Sequence, residues 1–193
     1  RKIIGLITLA GTLVLSGCSV KTLDAIKPDQ SKTAQGLSQV SPQPTSVSVA
    51  PQQQFKDEYY FTKADQHPEK ALIDVINSST QTLDIAIYSL THPDIVAAIK
   101  EAKKRGVAVR IISDKIQSAG KTQVEALKLL GSAGIPMKIN KHSGLMHLKV
   151  TIADKKIVTT GSYNYSKAAS TDNDEILMVI HNEETAKSFT EQF

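Results

Sequence analysis

His147 and Lys149 stand two residues apart in the run His147-Leu148-Lys149-Val150-Thr151-Ile152-Ala153-Asp154. An imidazole changes charge near neutral pH, so it can attack phosphorus or hand over a proton. A lysine ammonium is a compact positive charge suited to a phosphate oxygen. Side by side, the two are what phosphoryl chemistry asks for. Downstream lie Gly161, Ser162 and Asn164, where a strand is expected to end. Glycine lets another backbone approach closely, and Ser and Asn carry neutral hydrogen-bond donors for a phosphate.

Spacing by two pairs side chains only on a strand, where neighbours alternate between faces. His147 and Lys149 then project together, and Leu148, Val150 and Ile152 point the other way. The remaining elements follow from periodicity and punctuation. Tyr59-Tyr60-Phe61 predicts a first strand. Pro68 with Ala71, Leu72, Val75 and Ile76 at helical spacing predicts a helix over 67–79. The segment 82–88 alternates as a strand. Thr91 and Asp94 suggest a capping box for a helix that presents Ile95, Val96, Ile99 and Ala102 and stops at Gly106. A buried strand over 107–113, a helix over 122–130 and a short strand over 135–139 come next. Strands over 147–153 and 156–160 are joined tightly at Asp154-Lys155-Lys156. A strand over 174–180 and a helix over 183–193 close the chain. Alternating apolar strands and helices predict an α/β fold, a mixed and mainly parallel β-sheet flanked by helices on both faces.

Charge is unevenly placed. Residues 97–156 carry 13 basic and four acidic side chains, a local balance of +9 in a chain whose net charge is +4. Such a block suits a polyanion. The chain has one cysteine, which excludes an internal disulfide framework and a cysteine-based zinc cluster. No apolar run reaches the roughly 18 residues of a membrane-spanning helix. His142 and His147 lie five apart with no carboxylate or cysteine nearby to complete a metal site. Tyr163 and Tyr165 are expected to pack rather than stack on bases. His67, His92 and His181 read as incidental.

The first 55 residues differ from the rest. Arg1-Lys2, the short apolar stretch 3–15 and Leu15-Ser16-Gly17-Cys18 have the make-up of a secretory signal. The last four residues resemble the lipobox of bacterial lipoproteins. That resemblance implies a signal peptide over 1–17, cleavage before Cys18 and lipid attachment at its thiol. Ser19 then favours the outer membrane of a Gram-negative bacterium, on its periplasmic face. Residues 18–55, rich in Ser, Thr, Gln and Pro, have the composition of a flexible tether.

Taken whole, the motif is H-x-K-x4-D-x6-G-S-x-N. Three fixed positions arise by chance in about 2% of chains this long, but six arise at the order of 10⁻⁶. The string resembles the signature of the phospholipase D superfamily. From Tyr59 to Phe193 the chain is similar to the small single-motif bacterial endonucleases of that superfamily, the Nuc type. The resemblance rests on AIYSLTHPDIVAAIKEAKKRGVAVRIISD, GSYNYSKAAS and SFTEQF. It implies a phospholipase D-like α/β/α sandwich over 56–193 and a phosphodiesterase acting without metal or cofactor. His147 would form a phosphohistidine, and Lys149, Ser162 and Asn164 would bind phosphate. Glu175 would orient the histidine, and Asp154 would complete the catalytic motif in a mainly structural role. Because the family uses two histidines and this chain has one motif, the resemblance implies a homodimer. Nucleic acid bound without sequence specificity is the expected substrate, and the membrane is expected to be a partner only through the lipid. A phospholipid hydrolase or transferase is one rival reading. A non-catalytic nucleic-acid-binding lipoprotein of a DNA-transfer apparatus is the other. Small size and the lack of a lid-like apolar insertion favour nucleic acid, and the intact motif favours an enzyme.

Overall fold

A computed structural model describes residues 57–193. The predicted signal over 1–17, the tether over 18–55 and the lipidation candidate Cys18 lie outside the described residues.

Alternating and continuous apolar runs form seven strands among the described residues: β1 (Glu58–Phe61), β2 (Thr82–Ile87), β3 (Ala108–Ser113), β4 (Met137–Ile139), β5 (Lys149–Ala153), β6 (Ile157–Gly161) and β7 (Ile176–His181). Five α-helices accompany them: α1 (Pro68–Ser78), α2 (Pro93–Lys104), α3 (Lys121–Ser132), α4 (Lys167–Thr171) and α5 (Glu183–Gln192). The strands make one sheet in the order β1-β7-β6-β5-β2-β3-β4.

The α/β class and the mixed sheet are as expected, but the balance of directions is reversed. Only β2–β3 and β3–β4 pair in parallel; the other four pairings are antiparallel. The parallel pairs are those joined through α2 and α3, connections long enough for a crossover. β5 and β6 are joined by a turn too short for one. Its residues Asp154 and Lys155 have φ of 53° and 55°, the left-handed pair of a type I′ turn, closed by Lys156 N–H donating to the Ala153 carbonyl at 2.9 Å. Sequence pattern misleads here because β5 is buried on both faces. Antiparallel strands so covered read like parallel ones.

Helices cover both faces. One face packs Leu83, Ile85 and Ile87 of β2 against α1 and α2 through Leu72, Ile76, Ile95 and Ile99, all fully buried. The opposite face packs Ala86, Val150, Ile152 and Val158 against Ala186, Phe189 and Phe193 at the end of the chain. Each fully buried Leu or Ile contributes about 1.5–3 kcal/mol relative to exposure. Asp84 and Arg110 face each other across β2 and β3 and pair through two hydrogen bonds of 2.7 and 2.6 Å. The Arg110 guanidinium lies 4.8 Å from the Phe193 ring centre, so the ion pair is roofed by the chain's last residue.

Two local expectations change. The N-cap of α2 is His92, not Thr91: Pro93 takes the first helical position, and His92 Nδ1 accepts from the Asp94 N–H at 3.3 Å. Burial holds the His92 imidazole below the ordinary histidine range, although Asp94 and Glu69 push the other way. Helix α4 was not foreseen. It has five residues, too few to show a period, and is started by the Ser166 hydroxyl accepting from the Ala169 N–H.

Candidate active site

Strand register brings the chemistry to one end of the sheet. Ile87, the last residue of β2, stands opposite Lys149, the first of β5. Gly161, the last residue of β6, stands opposite Leu177 near the start of β7. His147, Ser162, Asn164 and Glu175 sit just beyond these strand ends, so all gather at the same edge. Gly161 is required by that convergence. Its φ is +137°, and a Cβ there would lie 2.2 Å from the Ile176 carbonyl oxygen.

His147 is exposed and Lys149 is buried. The Lys149 ammonium sits 3.0 Å from His147 Nδ1 and donates to the His147 carbonyl at 2.7 Å. An ammonium only donates, so Nδ1 accepts and a neutral ring carries its proton on Nε2. Burial pushes the Lys149 ammonium below the ordinary lysine range, and the Glu175 carboxylate, acting through space, pushes it back. Glu175 therefore bears on the lysine. Its Oε1 accepts from Asn173 Nδ2 at 3.0 Å, and no hydrogen bond joins it to His147 among the described residues. Its backbone carbonyl is held by the Thr62 N–H at 3.1 Å.

Ser162 Oγ accepts from the Ile176 N–H at 3.1 Å, which leaves its own O–H free to donate. The Asn164 Oδ1 is buried without a hydrogen-bond partner, an unusual state for a side-chain amide unless a further group completes it. The neighbouring tyrosines have no such freedom. Tyr163 and Tyr165 are fully buried. Tyr163 bonds to the Ser170 hydroxyl at 2.6 Å and Tyr165 to the Thr151 hydroxyl at 2.7 Å. They are packing residues, as their positions suggested. Burial pushes the Tyr165 phenol up to about 12, against the opposing hydrogen bond of Thr151.

Asp154 is elsewhere. It follows β5 at the opposite end, about 16 Å of strand from Lys149. Its two oxygens accept from the backbone N–H groups of Thr80, Gln81 and Thr82 and from the Thr80 hydroxyl, at 2.8–2.9 Å. Burial pushes this carboxyl up, but those donors outweigh it and hold it below the ordinary aspartate range.

Three further residues were not legible as site residues. Asp114, fully buried, accepts from the N–H groups of Ile116 and Gln117 and, through Oδ2, from the Met146 N–H at 2.9 Å. It fixes the backbone immediately before His147. Tyr88 packs its ring against the His147 imidazole, with centres 4.5 Å apart at 60°. Gln117 Nε2 donates to the Tyr88 hydroxyl at 2.9 Å. None carries a motif, and only the tertiary fold joins them. Among the described residues no three His, Cys, Asp or Glu side chains converge as a metal site, and no helix is long and apolar enough to cross a membrane.

A sheet carrying a histidine–lysine pair beside Ser and Asn at one edge defines a class of fold that known proteins share. Residues 72–193 match the family described as "Cardiolipin synthase, PLD-like domain". A mitochondrial cardiolipin hydrolase of Chlamydomonas reinhardtii is 36% identical over 121 residues, 63% of this chain and 53% of that protein. A phospholipase D of Rickettsia bellii is 36% identical over 124 residues, 64% of this chain and 61% of that protein. The chain thus spans little more than half the length of these relatives. The crystal structure of Nuc, a phospholipase D family member from Salmonella typhimurium, matches with a TM-score of 0.68 and 33% identity, covering 71% of this chain and 90% of that one. The chain belongs to the phospholipase D superfamily, through the PLD-like domain that residues 72–193 match.

Proposed function

We propose that this protein is a metal-independent endonuclease that cuts DNA or RNA through a phosphohistidine, with the site completed by a second copy of the chain. The observation that carries it is the His147–Lys149 pair at 3.0 Å at the start of β5, the central strand of the sheet. In one copy the neutral imidazole attacks phosphorus through its unprotonated nitrogen. A P–N bond forms as the P–O bond to the leaving group breaks. The leaving oxygen takes a proton from the partner subunit's His147 in its imidazolium form, which becomes a neutral imidazole. Water then gives a proton back to that imidazole, attacks phosphorus and breaks the P–N bond, restoring both rings. Lys149 and the Ser162 and Asn164 side chains hold the phosphate oxygens. Glu175 steadies the Lys149 charge, and Asp154 anchors the strand from its far end. The basic block over 97–156 attracts a nucleic-acid backbone without reading sequence.

Anchoring at Cys18 after removal of 1–17, with 18–55 as tether, would hold the domain at a membrane. Loss of membrane attachment in Cys18→Ser, with soluble activity retained, is the expected result.

A phospholipid substrate is the second reading, favoured by three exposed apolar side chains at the site's edge. Leu145 and Leu148 flank His147 in the chain, and Ile116 lies on the loop that Asp114 ties to Met146. The deciding experiment incubates the full chain with plasmid DNA, RNA or phosphatidylcholine vesicles in EDTA, beside His147→Ala. Cleavage of nucleic acid in chelator, lost in the variant, supports the nuclease. Choline release alone transfers the assignment to lipid. Activity that needs added Mg²⁺ overturns the chemistry.

A further inference from the structure

His147 is an exposed side chain at a strand end, yet its work requires one ring orientation. On such a position an imidazole would ordinarily sample several rotamers, and a catalytic group displaced by about 1 Å can cost on the order of 10²-fold in rate. Lys149 has a related need. Its ammonium is buried, and among the described residues its hydrogen-bonding partners are two atoms of His147. Something else must fix the ring and face the charge.

Tyr88 does both. It follows the last residue of β2, and its N–H donates to the Leu148 carbonyl at 2.9 Å, between His147 and Lys149. Its ring meets the His147 imidazole at 4.5 Å and 60°, a tilted edge arrangement of the kind favoured by aromatic pairs. The Lys149 ammonium lies 5.1 Å from the same ring's centre, within reach of a cation–π attraction. The tyrosine is itself held from two sides. Gln117 donates to its hydroxyl at 2.9 Å, and Gln123, buried at 2% exposure, donates to its carbonyl at 3.2 Å. Gln123 also accepts from the Leu90 N–H at 2.8 Å and donates to Ser113 Oγ at 2.9 Å. The Tyr88 backbone is thus held by α3 and by the residue before β5, and its phenol by Gln117, which lies between β3 and α3.

We propose that Tyr88 is a positioning residue of the site: its ring sets the plane of the His147 imidazole and faces the Lys149 ammonium, and Gln117 holds the phenol in place. The role belongs to the ring, not to proton transfer by the hydroxyl. The kinetic part of the test rests on the phosphodiesterase reading above; the spectroscopic part does not.

The test uses the full chain with bis(p-nitrophenyl) phosphate as a generic phosphodiester, and NMR of the His147 carbon-bound imidazole protons. In Tyr88→Leu, kcat should fall by about 10²-fold while KM changes little and the melting temperature stays close to wild type. Tyr88→Phe should recover most of that loss. Gln117→Leu should lower kcat less than Tyr88→Leu does. The His147 ring protons should show an aromatic ring-current shift in wild type and Tyr88→Phe that disappears in Tyr88→Leu. Should Tyr88→Leu not fold, Tyr88→Met takes its place, and the wild-type and Tyr88→Phe spectra are read against His147→Ala. Unchanged kcat without the aromatic ring overturns the proposal, as does an equal loss in Tyr88→Phe. So does a His147 spectrum indifferent to residue 88. If wild type hydrolyses no phosphodiester but the ring-current shift is present, the activity reading fails and the positioning contact stands.

Discussion

The two ends of β5 are built to opposite rules. At one end Asp154 is fully employed: both oxygens are satisfied by four donors, three of them the backbone N–H groups of Thr80, Gln81 and Thr82, where the chain enters β2. At the other end the polar groups are held in readiness. Lys149 is buried without a carboxylate hydrogen bond, Asn164 Oδ1 is buried without a partner, and His147 is exposed. One motif therefore joins a folding device to a reactive edge along a single strand. Satisfied groups stabilise, whereas unsatisfied ones cost stability and wait for a ligand.

The sharpest way to break the contrast is at the reactive end. His147→Ala should reduce phosphodiester hydrolysis by roughly 10³-fold or more, with a melting temperature nearly unchanged because the side chain is exposed. A variant that melts far lower would make His147 a structural residue.

Also at the reactive end, Gly161→Ala should destabilise the fold by about 3 kcal/mol or more, since a Cβ would meet backbone and φ is positive. Urea unfolding measures this. A mild effect would mean that β6 and β7 part easily at the site.

Asp154→Asn probes the structural end. An amide keeps one acceptor but loses the charge, so a loss of about 2 kcal/mol is expected, with kcat of the folded protein preserved. The pH dependence has a definite sign. The native carboxyl is held below its unfolded value of 3.8. Its contribution is complete above that value and fades as pH falls through the depressed native one. The acid limb of the stability curve should therefore be steeper in wild type than in Asp154→Asn. A large fall in kcat with folding intact would place Asp154 in the chemistry.

Lys149→Met should change stability modestly and with the opposite sign. Removing a buried charge is expected to stabilise by roughly 1 kcal/mol while abolishing activity. The native lysine is held below its usual range, so the unfolded chain binds more protons between the two values. Wild-type stability should rise with pH across that window, and Lys149→Met should lack the rise. Destabilisation in its place would show that Lys149 ties the fold together.

Much of this was legible in the residues. The alternation around His147 and Lys149 puts both on one face, and the structure keeps Val150 and Ile152 on the other. Nearly every predicted element forms within a residue or two of its expected bounds. Helix α4 was missed because five residues show no period. Strand direction was misread because complete burial erases the alternation that marks an antiparallel strand.

The sequence by itself determined the chemical groups, their order along the chain and the elements that carry them, because these follow from local spacing and side-chain type. Only the tertiary structure decided which groups meet. Tyr88, Asp114 and Gln117 lie some 30 to 60 residues from His147 and share no motif with it, so pairing of β5 with β2 and β2 with β3 is what brings them together. The same pairing carries Asp154 to the far end, because a strand of five residues separates its two ends by its own length. Local pattern specifies a strand; register between strands, set by the packing of both faces, specifies the site.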